Sequence, residues 1–200
     1  MNAKLRDLLY LAVVAVLAVA ATLVWRQWTS APIADAAREL QEQQWLAVLP
    51  PQRYDNDPLQ APLPITNTEL QHSRLLGGYR ATLVGTTSAI VLRSQTQGYA
   101  GPIMLSIAID PHGRLIATRV LAQEESPGLG GQLGDRASHW IEQFDRQGAE
   151  ANWAVKRDQG DFDQLAGATV TSRAVMAALQ DALRYFDAHR SSLLEHTTDE

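Results

Sequence analysis

The run LLYLAVVAVLAVAATLVW, from Leu8 to Trp25, carries no charged side chain and constrains the chain more than any other stretch. A helix that crosses a bilayer needs about 20 predominantly apolar residues, because no water is present there to satisfy its backbone. The run is close to that length and is read as a membrane segment. Lys4 and Arg6 precede it while Arg26 and Arg38 follow, a balance that slightly favours a cytoplasmic N-terminus. Ala18-Val19-Ala20 has the small-x-small form of a signal-peptide cleavage site, which is the rival reading. The apolar run continues past it through Leu23, Val24 and Trp25, and Trp28 stands where an interfacial aromatic belongs, so an uncleaved anchor is expected.

Several functional classes are excluded by what the rest of the chain lacks. Lys and Arg number 17 against 22 Asp and Glu, a net charge of -5, so there is no basic footprint for nucleic acid. The absence of cysteine removes disulfides, thiolate metal sites, iron–sulfur clusters and cysteine-linked flavins. The histidines at 72, 112, 139, 189 and 196 have no metal-ligand spacing. No G-x-S-x-G elbow and no G-K-[ST] phosphate loop occurs. A dinucleotide fingerprint fails as well, because the third glycine of G-x-G-x-x-G counted from Gly128 falls on Leu133.

Periodicity beyond the apolar run predicts an α+β domain with a mainly antiparallel sheet packed by helices. DAARELQEQQWLAVL, from Asp35 to Leu49, has a helical apolar stripe that ends at Pro50-Pro51, and a Pro-rich connection follows. Order is expected to resume near Arg80, with YRATLVG and SAIVLRS as neighbouring strands. In IMLSIAI, Ile103, Leu105, Ile107 and Ile109 share one face while Met104, Ser106 and Ala108 share the other. Asp110-Pro111-His112-Gly113 turns that strand into RLIATRVLA, a hairpin. A short amphipathic helix carries Trp140, Ile141 and Phe144, and Ala174 to Phe186 repeats at helical spacing. The expected organisation is an anchor over 1–30, a helix and Pro-rich connection over 31–78, the main domain over 79–190 and a polar tail over 191–200.

Two stretches can carry chemistry. Glu124-Glu125-Ser126-Pro127-Gly128-Leu129-Gly130 is a loop whose glycines allow either simple flexibility or close backbone approach to a ligand. In Gln164-Leu165-Ala166-Gly167-Ala168-Thr169-Val170-Thr171-Ser172-Arg173, Gly167 allows a sharp turn and a helix N-terminus follows, which outlines a phosphate site. The plainer reading of the same residues is a capped helix, with Thr171 or Ser172 supplying the cap.

Asp163-Gln164-Leu165-Ala166-Gly167-Ala168-Thr169, with Val170-Thr171-Ser172 after it, resembles the flavinylation motif of the covalent-FMN domain family, Asp-x-x-Ser/Thr-Gly-Ala-Thr. Glu125-Ser126-Pro127-Gly128-Leu129-Gly130 is similar to a second motif of that family, Glu-Thr-Pro-Gly-Leu-Gly. With GYAGPIMLSIAIDPHGRL and the apolar start, the chain resembles the G subunits of Rnf/Rsx ion-translocating oxidoreductases. The resemblance implies FMN joined by a phosphodiester to Thr169, installed by a separate flavin transferase that uses FAD. It also implies other subunits of a membrane oxidoreductase complex as partners, electron relay as the function, and a bacterial inner-membrane location with the main domain periplasmic. Around the flavin it implies Gly167, Ala168, Thr171 and Ser172 at the phosphate, Asp163 in recognition during modification, and Glu125, Gly128 and Leu129 beside the ring, with Arg173 a further partner of the phosphodiester. Ala166 stands where the family has Ser or Thr, and Ser126 where it has Thr. Ala166 keeps open a scaffold subunit without flavin, and an anchored ligand-binding domain is the third reading.

Overall fold

The structure, a computed structural model, describes residues 12–22, 25, 44–135 and 138–195. The chain divides into two compact units, Met1–Glu42 and Gln43–Glu200.

In the first unit, residues 12–22 form helix α1. Trp25 is helical as well. The membrane-spanning helix expected over Leu8–Trp25 is corrected: among the described residues, no helix is long and apolar enough to cross a membrane. The membrane anchor and the single-pass inner-membrane location with a periplasmic main domain fall with it. Positions 8–11 and 23–24 of the run lie outside the described residues, as does most of the helix expected from Asp35.

The second unit is built on a five-stranded sheet in the order β1-β2-β3-β4-β5, each strand beside its neighbour in the chain. The strands are β1 (Thr68–Glu69), β2 (Ser73–Leu83), β3 (Thr86–Gln97), β4 (Pro102–Ile109) and β5 (Leu115–Ala122), and every pairing is antiparallel. The hairpin expected at Asp110 to Gly113 joins β4 to β5; Asp110 Oδ1 accepts the amides of His112 and Arg114, both at 2.9 Å. Strand β2 begins at Ser73, upstream of Arg80 where order was expected to resume. A register shift between Leu75 and Gly77 interrupts its alternation, which hides its first half from a period-two reading.

Helix α2 (Thr169–Ala188) lies on one face of the sheet, and the short α3 (Arg190–Leu194) follows it. Val175, Leu179, Ala182, Leu183 and Phe186 recur at helical spacing and pack with Ile90, Leu92, Ile103, Leu105, Ile107 and Ile109 in one buried core. The opposite face is also covered. Leu46, Val48 and Leu49 close over Ala81, Ala89, Val91 and Ala108, and Ser106 Oγ donates to the Trp45 carbonyl at 2.7 Å. Asp181, buried within α2, accepts the His72 amide at 2.7 Å and the Ser73 hydroxyl at 3.0 Å, fixing the start of β2 to the helix.

Between β5 and α2 the chain makes 3₁₀ turns, of which Trp140–Phe144 packs on β5. The Phe144 ring is fully buried and meets Trp140, Trp153 and Phe162 at centroid distances of 5.1, 5.7 and 5.0 Å. Trp140 Nε1 donates to the Asp163 carbonyl at 2.7 Å, so this aromatic cluster holds the approach to Gln164.

Candidate functional site

The turn that precedes α2 is set by Gly167. Its φ of +71° lies in the left-handed region, and a Cβ there would approach Leu129 Cδ2 to 2.7 Å. The Ala168 amide bonds back to the Leu165 carbonyl at 3.1 Å, and the first helical bond runs from the Ser172 amide to the Ala168 carbonyl at 2.9 Å. Thr169 is thus the first residue of α2, and Ala168 stands at the N-cap with no side-chain cap bond.

That start corrects the expected capping roles of Thr171 and Ser172. A capping side chain must come from the residue at the non-helical boundary, whereas both hydroxyls lie inside the first turn. Thr171 Oγ1 instead donates to Glu125 Oε2 at 2.8 Å. Ser172 Oγ donates to the Ala168 carbonyl and accepts the Leu165 amide, both at 2.9 Å, bracing the turn from behind. Ser172→Ala leaves the Leu165 amide buried without its acceptor, and a loss of about 1–3 kcal/mol is expected in urea unfolding of the chain.

The second loop follows β5. The Ser126 carbonyl accepts from Leu129 and Gly131 at 3.2 and 3.0 Å, and Gly128 turns the chain with φ of +79°. Glu125 Oε1 accepts the Ala100 amide at 3.1 Å, which draws in the β3–β4 turn and its Tyr99. The three segments enclose an open pocket of 360 Å³. Tyr99 comes from the turn, Glu125, Ser126, Leu129 and Gly130 from the loop, and Gly167 to Thr171 from the start of α2. Leu129, Val170 and Tyr99 are exposed at 49%, 53% and 76%, leaving apolar surface at its mouth.

The fold therefore brings six of the expected site residues to one pocket: Thr169, Gly167, Ala168, Thr171, Glu125 and Leu129. Its wall does not include Asp163, Gly128 or Ser172. Asp163 is exposed and pairs with Lys156 at 2.7 Å, and Arg173 pairs with Asp158 at 2.5 Å. Tyr99 and Gln164, whose Oε1 accepts the Thr169 hydroxyl at 3.2 Å, are additions. The cue for Tyr99 is an aromatic flanked by Gly98 and Gly101 between two strands, a place where a large exposed ring has no packing role.

A larger cavity of 590 Å³ borders β5 and the Trp140–Phe144 turn, but it holds neither motif. At its edge, Glu142 beside His139 holds the imidazole above its ordinary value through a side-chain hydrogen bond. Burial, with help from Glu142, pushes the Asp145 carboxyl up from its ordinary 3.8, against the opposing charge of Arg146. A raised carboxyl binds its proton more tightly in the folded chain, so stability falls as pH rises from 3.8 through the folded value. Asp145→Asn is expected to be more stable than the parent in urea at neutral pH, the gain shrinking as the pH is lowered toward about 4.

Comparison with known proteins gives the class first: residues 98–184 match the family model of the FMN-binding domain. That span contains Tyr99, the Glu125 loop and the whole of Gly167 to Thr171. The G subunit of the ion-translocating oxidoreductase complex of Pseudomonas aeruginosa is 43% identical over 204 residues, covering 96% of this chain and 93% of that protein. Its counterpart from Stutzerimonas stutzeri is 38% identical, covering 92% and 81%, and that from Vibrio cholerae is 34% identical, covering 82% and 83%. The chain belongs to this family of ion-translocating oxidoreductase complex G subunits, as the resemblance of its motifs implied. Among solved structures, the crystal structure of Shewanella oneidensis NqrC aligns with a TM-score of 0.45 at 17% identity, covering 72% of both chains.

Proposed function

We propose that the chain is the electron-carrying subunit of an ion-translocating oxidoreductase complex, with FMN joined through its phosphate to the Thr169 hydroxyl. The observation that carries this reading is the meeting of two motifs in one pocket: the Glu125 to Gly130 loop and Gly167 to Thr171, with Thr169 on its wall. Other subunits of the complex are the partners, and a flavin transferase is the maturation partner.

The residues present fit a flavin phosphate. The first turn of α2 has no side-chain cap, so its amides and the positive end of its dipole are free to face an anion, an interaction worth about 0.3–1 kcal/mol. Thr169 is only partly buried, and its hydroxyl contacts Gln164 rather than a base. An unassisted hydroxyl is a poor nucleophile, which suits attachment by a separate enzyme. In that step the Thr169 Oγ–phosphorus bond forms as the pyrophosphate bridge of FAD breaks, AMP leaves, and the hydroxyl proton passes to the transferase. Leu129, Val170 and Tyr99 supply apolar contact for the ring, and the Thr171–Glu125 bond holds the loop against the helix. Bound FMN supplies transfer of electrons one or two at a time. Arg173, already paired with Asp158, is not assigned to the phosphate. Asp163 and Ala166 are exposed and outside the pocket wall, where an enzyme that reads the motif can reach them.

Co-expression with a flavin transferase tests the reading. The denatured chain is expected to retain flavin fluorescence and to gain the mass of one FMN less one water. A chain of unmodified mass, with no fluorescence in the denatured band, would overturn covalent attachment at Thr169.

A further inference from the structure

Glu125 is a buried acid, 7% exposed, with no ion-pair partner among the described residues. Its two oxygens accept the Ala100 amide at 3.1 Å and the Thr171 hydroxyl at 2.8 Å. Backbone closes on the group from two further sides. A Cβ on Gly98 would overlap Oε1, and one on Gly130 would lie 2.5 Å from Oε2, so the carboxylate is packed against main chain and cannot swing out to solvent. Two glycines, one amide and one hydroxyl thus hold it in the pocket wall.

Bracing three segments does not require a charge, because a neutral amide of the same shape could make two hydrogen bonds. Removing an ion from water is costly unless something offsets the loss. The consequence falls on whatever occupies the pocket. Resting on the assignment of that pocket to FMN, we propose that Glu125 is a fixed negative charge that lowers the potential at which the bound flavin accepts electrons. Each electron that arrives without a proton adds negative charge to the ring, and a like charge held behind the pocket wall disfavours that addition. The residue is a positioning and tuning group, not a catalytic one.

The test uses the full chain, flavinylated by co-expression and titrated electrochemically at alkaline pH as parent, Glu125→Gln and Thr171→Val. Glutamine keeps the geometry: its carbonyl accepts from Ala100, and its amide donates to Thr171 Oγ1. Glu125→Gln is expected to raise the potential by about tenfold in the one-electron equilibrium constant, which is roughly 59 mV. Thr171→Val removes a donor and leaves the charge, so it is expected to lower the potential or leave it unchanged. No upward shift in Glu125→Gln overturns the proposal, as does an equal upward shift in Thr171→Val, because loosening of the loop would then explain both.

A second measurement dispenses with the covalent bond. The Thr169→Ala chain is offered free FMN, oxidised or reduced with dithionite, and binding is measured by ultrafiltration. Oxidised FMN is expected to bind about tenfold more tightly than reduced FMN, and Glu125→Gln in the same background is expected to remove the bias. The same preference with and without Glu125 overturns the charge assignment while leaving the pocket to FMN. Failure of flavin to bind in either form, attached or free, overturns both. Biased binding of free FMN by a chain that is never flavinylated upholds the charge assignment and defeats only Thr169 as acceptor.

Discussion

Thr169→Ala, co-expressed with a flavin transferase, is expected to give a folded chain with no covalent flavin. The hydroxyl is the only acceptor at the first residue of α2, and its hydrogen bond to Gln164 is long and partly exposed, so its removal costs the fold little. Thr171→Ala should differ in kind. It removes the donor that holds Glu125 and leaves a buried carboxylate oxygen unsatisfied, at about 1–3 kcal/mol or more for a charged group, while the acceptor at 169 remains. Covalent flavin should therefore persist on Thr171→Ala and vanish from Thr169→Ala. Denaturing gels read for flavin fluorescence, with peptide mapping by mass, decide the matter. Flavin retained on Thr169→Ala, or mapped to Thr171 in the parent, would mean that a different hydroxyl is modified.

Phe144→Ala carries the largest expected loss of stability, about 3–5 kcal/mol, as usual when a fully buried aromatic is truncated. The ring is enclosed by Trp140, Trp153 and Phe162, three large side chains that cannot all collapse into the space it leaves. A fall in Tm of roughly 10 °C is expected in thermal unfolding followed by circular dichroism. A loss below about 1 kcal/mol would show that Trp153 moves in to fill the void. Because Trp140 and Gln143 both bond to Asp163, the same variant should loosen the approach to Gln164, and protease cleavage between 152 and 164 should rise first.

How far the chain could be read in advance depended on the range of the interaction concerned. The alternation of Ile103, Leu105, Ile107 and Ile109 and the Asp-Pro-His-Gly turn are local patterns, and both occur where expected. The first half of β2 was hidden because the register shift between Leu75 and Gly77 breaks the period on which the reading rests. The apolar length of Leu8 to Trp25 suggested a spanning helix, yet among the described residues no helix is long and apolar enough to cross a membrane. The two motifs that meet in the pocket were legible locally, but the partners of their side chains were not. Thr171 and Ser172 look like caps to any local rule, and nothing within a few positions shows that one of them serves a carboxylate 46 residues away. Tyr99 was missed for the same reason, since its turn is tied to the pocket through the Glu125 bond to Ala100, 25 residues away.

The strand order has a consequence for when the site can exist. Every strand pairs with the one before it across a short connection, so the sheet closes over small loops. The contact between Glu125 and Thr171 must close a much longer one, and it waits for a helix that leaves the ribosome after all five strands. That helix also covers the face bearing Ile90, Leu92 and Leu105. One late docking event therefore seals the interior and assembles the pocket around Thr169 together. If Thr169 is modified as proposed, a transferase that recognises the assembled pocket would act only on chains that have finished folding, and the flavin would be a mark of maturity.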